Sequence, residues 1–154
     1  MWLIIGYGSI LREDDGAGFR LADTLATNIS PRLARILAVH QLTPELTQEL
    51  AKKDVDRVLF IDARRGQDRP LLMCQLDPLA AVGSCGHQLT ADLLLRMTHS
   101  LYRPALKGWL LTLSAQRMGV GDTLSEEMRS SMSLACTMIK KLVEADSYSG
   151  KLQK

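Results

Sequence analysis

Three consecutive acids, Glu13-Asp14-Asp15, stand between one glycine pair, Gly6 and Gly8, and a second, Gly16 and Gly18. The apolar run Leu3-Ile4-Ile5 before them reads as a buried strand, and the segment after Gly16 as an amphipathic helix. In open α/β sheets, ligands bind beyond the carboxyl ends of the strands. Carboxylates gathered at such a place are costly unless they meet a cation, a positive substrate or a helix N-terminus. Two further residues fit the same edge. Asp62 closes the continuous apolar run Val58-Leu59-Phe60-Ile61, and His87 sits in the loop Gly83-Ser84-Cys85-Gly86-His87 ahead of a helical segment. In a parallel sheet Asp15, Asp62 and His87 share the carboxyl edge. Two carboxylates and an imidazole there suit a divalent transition metal or a proton-transfer cluster. Each residue also has an ordinary reading: a helix-dipole acid, a turn former after a strand, and a solvent-exposed histidine.

Gly-x-Gly after a strand also suggests a dinucleotide site. The third glycine of that fingerprint would fall at Leu11, and the ribose-binding acid would fall where the chain has His40 and Gln41. Three carboxylates would repel a pyrophosphate. No nucleotide cofactor is therefore expected.

The elements that must position these residues alternate along the chain. Strands are expected at Leu3–Gly6, Arg35–His40, Val58–Ile61, Leu71–Leu76 and Trp109–Leu113. Helices are expected from about Gly16 to Ile29, from Thr43-Pro44-Glu45 to about Lys53, from Leu89 to Leu101, and after Ser125. The first helix is read with Phe19, Ala22, Leu25, Ala26 and Ile29 inward, and the last with Met128, Met132, Ala135, Ile139, Leu142 and Val143 inward. The order predicts a single-domain, three-layer αβα fold over residues 1–146, with a mainly parallel twisted sheet. Leu71–Leu76 follows Asp62 too closely for a crossover helix, so it is expected antiparallel and at an edge. A polar tail is expected over 147–154.

Composition narrows the function. A net charge of +2 and 5% aromatic residues give no basic, base-stacking surface, so nucleic acid is not expected as a partner. Met1-Trp2-Leu3-Ile4-Ile5 is too short for a leader or a membrane span, and no membrane association is expected. Cys74, Cys85 and Cys136 are odd in number with no CxxC pair, which reads as reduced thiols in a cytoplasmic protein. Cys74 and Cys136 lie in apolar stretches and are expected to be buried. No Gly-x-Ser-x-Gly elbow and no HExxH helix is present.

The segment Gly6-x-Gly8-Ser9-x-Leu11, followed by Asp14-Asp15-Gly16-x-Gly18, resembles the N-terminus of the hydrogenase maturation endopeptidases. It departs at Ser9, where that family usually has Asn. Gln41-Leu42-Thr43-Pro44-Glu45-Leu46, His87-x-Leu89-Thr90 and Val120-Gly121-Asp122-x-Leu124-Ser125 continue the similarity to about Ala145. The resemblance implies an enzyme that removes a C-terminal extension from the nickel-loaded large-subunit precursor of a nickel–iron hydrogenase. It implies Asp15, Asp62 and His87 as metal ligands, the metal being nickel supplied by the substrate. Asp14 and Asp15 are the candidate catalytic acids, and Gly6, Gly8, Ser9 and Gly16 the candidate substrate-binding loop. Another hydrolase on the same architecture, and a non-catalytic metal-dependent chaperone, are the rival readings. If Gly16 has a positive φ, Gly16→Val is expected to displace Asp15 as well as loosen the turn.

Overall fold

A computed structural model describes residues 1–79, 89–102 and 105–149, with side chains through residue 146. Five strands form one sheet: β1 (Trp2–Tyr7), β2 (Ala34–Val39), β3 (Arg57–Arg64), β4 (Leu71–Gln75) and β5 (Lys107–Ser114). Their order is β2-β1-β3-β5-β4. β2, β1, β3 and β5 run parallel, and β4 runs antiparallel to β5 at the edge. Among the described residues α1 (Ala17–Asn28), α2 (Leu46–Leu50) and α3 (Ala91–Leu101) lie between strands, and α4 (Glu126–Ser149) follows β5.

Strand periodicity divides the core. Trp2, Ile4, Leu59, Ile61, Leu111 and Leu113 point to one face, where they meet Leu21 and Leu25 of α1 and Met128, Ala135, Ile139 and Val143 of α4. Leu3, Ile5, Val58 and Phe60 point to the other, against Leu50 of α2 and Ala91, Leu94 and Leu95 of α3. Consecutive buried residues along β1 and β3 are what a strand covered on both faces requires. The sheet is therefore the middle of three layers, as the alternation of elements predicts.

Several boundaries differ from the sequence reading. α2 is only Leu46–Leu50; residues before it make turns closed by Thr47 N–H to the Pro44 carbonyl and Gln48 N–H to the Glu45 carbonyl. The buried stripe of α1 is Ala17, Gly18, Leu21, Ala22 and Leu25, while Ala26 is exposed and Phe19 half-buried. Phe19 instead stacks on the His40 ring, with centroids 4.8 Å apart. Cys74 is exposed on edge strand β4, and Cys136 is only partly buried. Their apolar neighbours suggested burial, but on edge strand β4 four consecutive residues, Leu72 to Gln75, are exposed. α4 runs on to Ser149, into the segment read as a tail. No helix of the described residues is long and apolar enough to cross a membrane.

Candidate functional site

The site begins where β1 stops. Gly6 pairs with Ile61, and β1 makes no pair beyond that level with β3. β3 nevertheless continues to Arg64, because β5 stays beside it through the pairs Asp62–Thr112, Ala63–Leu113 and Arg64–Ser114. Asp62 is thus not the strand's last residue, as its apolar run suggested. It is held in the ladder on one side and faces the space beyond β1 on the other. That space is a cleft of about 720 Å³, lined among others by Tyr7, Gly8, Ser9, Asp15, His40, Asp62 and Met118.

The chain between β1 and α1 is a folded loop closed by a 3-10 turn over Glu13–Gly16. Gly8 has φ +138°, and a Cβ there would lie 1.8 Å from the Asp15 carbonyl oxygen, so only glycine fits. Gly16 has an ordinary φ of −76°. The conditional expectation of a positive φ there is not met. Glycine is required at 16 because a Cβ would lie 2.8 Å from the Ile10 Cα. Gly6 is buried under α1, where a Cβ would meet the Gly18 carbonyl oxygen at 2.0 Å. Of the four residues expected to bind substrate, Gly8 and Ser9 line the cleft; Gly6 and Gly16 shape the backbone behind it. The Ser9 main-chain N–H donates to Asp15 Oδ2 at 3.0 Å, and the Ser9 carbonyl accepts from Arg12 N–H at 3.1 Å. Main-chain atoms make both of these bonds, so any residue except proline at position 9 supplies them.

A test of this packing is Gly16→Ala. Overpacking of this kind costs about 1–3 kcal/mol, which is roughly 3–10 °C in melting temperature for a domain of this size. Because Ile10 and Ser9 must give way, Asp15 is expected to move with them. Activity should fall further than the melting shift explains, measured on one preparation by thermal unfolding and turnover.

The two adjacent acids have different surroundings. Asp14 is fully buried and turned away from the cleft. Its Oδ2 accepts from Gln116 N–H at 2.9 Å, Arg117 N–H at 3.1 Å and the Ser125 hydroxyl at 2.8 Å. Its Oδ1 accepts from Ser125 N–H at 2.8 Å. Burial pushes its carboxyl up, but these donors together outweigh burial and hold it below the usual carboxylate range. Ser125 in turn caps α4, its hydroxyl accepting from Met128 N–H at 3.2 Å. Asp14 ties the acidic loop to the start of α4, and of the two candidate catalytic acids Asp15 lines the cleft while Asp14 does not. Glu13, at φ 51°, binds the same distant loop: its Oε2 accepts from Gly119 N–H at 2.8 Å and its N–H donates to the Gly121 carbonyl at 2.8 Å.

Asp15 and Asp62 both face the cleft. Burial pushes the Asp62 carboxyl up to about 6, and the Asp15 charge adds to the rise; the Ala63 N–H, which donates at 2.8 Å, the Tyr7 hydroxyl and Arg64 oppose it. Tyr7 is itself pushed far above the ordinary phenol range, first by burial and then by Asp62, so it stays a protonated donor to that carboxylate. The sequence reading gave Tyr7 no role. An aromatic ending a strand beside the glycine pair was visible, but its partner comes from another strand. His87 lies outside the described residues, as do Ser84 and Cys85. Among the described residues no three His, Cys, Asp or Glu side chains are close enough to hold a metal ion. The described part of the proposed ligand set is therefore the carboxylate pair.

Fold and cleft together define an α/β protein with a mainly parallel sheet and, at its carboxyl edge, a cleft lined by two carboxylates and three arginines. No protein-family model and no curated protein matches the chain. Solved structures with the same fold include several hydrogenase maturation proteases. The [NiFe] hydrogenase maturation protease HycI from Thermococcus kodakarensis KOD1 superposes with a TM-score of 0.79 at 19% identity, covering 93% of this chain and 92% of that one. The hydrogenase maturating endopeptidase HybD from E. coli gives 0.70 at 16% identity, covering 94% and 93%. The endopeptidase HycI from Escherichia coli gives 0.69 at 14% identity, covering 91% and 89%. At these identities the likeness shows a shared fold.

Proposed function

We propose that the chain is a hydrogenase maturation endopeptidase, which removes the C-terminal extension from the nickel-loaded large-subunit precursor of a nickel–iron hydrogenase. One observation carries this reading. Two carboxylates, Asp15 from the 3-10 turn after β1 and Asp62 from β3, line a single cleft on a fold shared with hydrogenase maturation proteases. Paired carboxylates facing solvent suit a cation that arrives with other ligands already attached, as nickel in a precursor would. His87 is the proposed third contact to that ion.

In this reading Asp15 and Asp62 face the substrate's nickel and so fix the adjacent peptide. Fixing the bond beside a general base converts an encounter into a positioned reaction. Asp15, half-exposed and held in place by Ser9 N–H, takes a proton from the attacking water. Water oxygen bonds to the scissile carbonyl carbon, the C–N bond breaks, and the proton passes to the departing amine. Tyr7 keeps Asp62 oriented throughout, because its hydroxyl does not ionise in the working pH range.

The experiment separates three classes of protein. The pure protein is incubated with nickel-loaded precursor, and separately with small peptides and nucleosides, and products are followed by mass. One cut in the precursor and no turnover of small substrates is the expected result. Turnover of a small substrate alone would make the chain a different hydrolase. A stable complex with uncut precursor would make it a chaperone.

A further inference from the structure

Asp15 and Asp62 account for only part of the cleft's charge. Its lining also includes Arg12, from the loop after β1, and Arg64 and Arg65, from the end of β3. All three are exposed. None makes a side-chain hydrogen bond or ion pair among the described residues; Arg64 acts on Asp62 through space. The nearest acid of the Arg12 loop, Glu13, is already engaged, with Gly119 N–H on one oxygen and Arg117 at 3.8 Å from the other.

A cleft that only had to hold a dication would be weakened by three guanidinium groups around it, since like charges raise the free energy of the bound ion. The lining fits a ligand of mixed charge, with a cation for the carboxylates and anions for the arginines. Guanidinium presents a planar fork of N–H donors that matches a carboxylate. We propose that Arg12, Arg64 and Arg65 form a carboxylate-binding subsite, which holds anionic groups of the segment to be removed while Asp15 and Asp62 face the nickel. This rests on the reading of the chain as a hydrogenase maturation endopeptidase and adds what its cleft selects in the substrate. The carboxylates can come from acidic side chains of the extension or from its terminal α-carboxylate.

The test uses the double variant Arg12→Gln/Arg65→Gln, which leaves Arg64 and its effect on Asp62 in place. Both positions are exposed, so thermal unfolding should be unchanged. Steady-state cleavage is measured on nickel-loaded precursor with its native extension, with the extension's Asp and Glu changed to Asn and Gln, and with a C-terminal amide. Losing charged hydrogen bonds at two positions should raise KM on the native precursor by about 100-fold, with kcat within about twofold of wild type. That rise should vanish on the precursor lacking the responsible carboxylate. Its loss in the Asn/Gln arm assigns side chains, and its loss in the amide arm assigns the chain terminus. Equal KM for wild type and variant, a fall in kcat at unchanged KM, or a rise that persists in both modified precursors would overturn the subsite. Failure of the wild-type protein to cut the native precursor would instead sink the endopeptidase reading.

Discussion

Replacing Asp62 by Asn is expected to abolish precursor cleavage and, at neutral pH, to make the protein more stable. The first effect follows from position. Asp62 faces the cleft opposite the end of β1, and an amide keeps its shape and its acceptor for Tyr7 but removes the charge proposed to meet the substrate's cation. Loss of a group in this kind of role costs at least about 100-fold in rate. The second effect follows from linkage. Burial raises the Asp62 carboxyl to about 6 from an ordinary 3.8. Below pH 3.8 it is protonated in both folded and unfolded chains and contributes nothing. Between the two values the unfolded chain ionises and the folded one resists, so stability falls as pH rises. Above about 6 the cost is complete, on the order of 2–3 kcal/mol. Asn carries no such cost, so Asp62→Asn should melt several degrees higher at pH 7.5 and no higher at pH 3.5. For the wild-type protein, engagement of nickel-loaded precursor should weaken as pH drops through about 6, because a ligating carboxylate must be ionised. Calorimetry at the two pH values and a cleavage assay on the same samples check all of this. An active Asp62→Asn would remove Asp62 from the site.

The second large effect separates Asp14 from Asp15. Asp14→Ala strips the acceptor from Gln116, Arg117 and Ser125 main-chain N–H groups and from the Ser125 hydroxyl, all in a fully buried position. Unpaired buried donors are expensive, and the loss should be on the order of 3–5 kcal/mol, a large share of a domain's total stability. The stabilisation has a definite pH sense. A carboxyl held below its ordinary range contributes above the ordinary carboxylate pKa and is lost as pH falls through its folded value. The wild-type protein should therefore lose this anchor in acid, and Asp14→Ala should not. Asp15→Asn, at a half-exposed position with one main-chain donor, should fold and melt like wild type yet lose cleavage. Denaturant unfolding of both variants, with cleavage measured alongside, is the check. A stable, inactive Asp14→Ala would reverse the two assignments.

Much of this architecture is legible in the chain. Apolar runs marked β1 as a buried strand and β3 as one covered on both faces, and the short gap after Asp62 required β4 to turn back. The placement of Asp15 and Asp62 on one edge followed from parallel order alone. What remained hidden depended on distant chain. Asp14 and Asp15 are neighbours in a 3-10 turn, which rotates successive side chains by about 120°. Which of them faces inward is set by donors near residues 116–125, more than a hundred positions away. The two extra residues of β3 exist because β5 continues beside them, and the Tyr7–Asp62 bond joins two strands. The stripe of α1 is shifted because Gly18 lets its backbone approach the sheet, where a Cβ would lie 2.4 Å from the Ile61 and Tyr7 carbonyl oxygens.

In the proposed function this carboxylate pair reads nickel carried by the substrate. The most direct test of this is intact-mass measurement of the large-subunit precursor, prepared over a range of nickel occupancies and incubated with the wild-type protein. One C-terminal cut is expected, with a yield that tracks nickel occupancy and approaches zero in the nickel-free precursor. Equal cleavage of nickel-free and nickel-loaded precursor would contradict it.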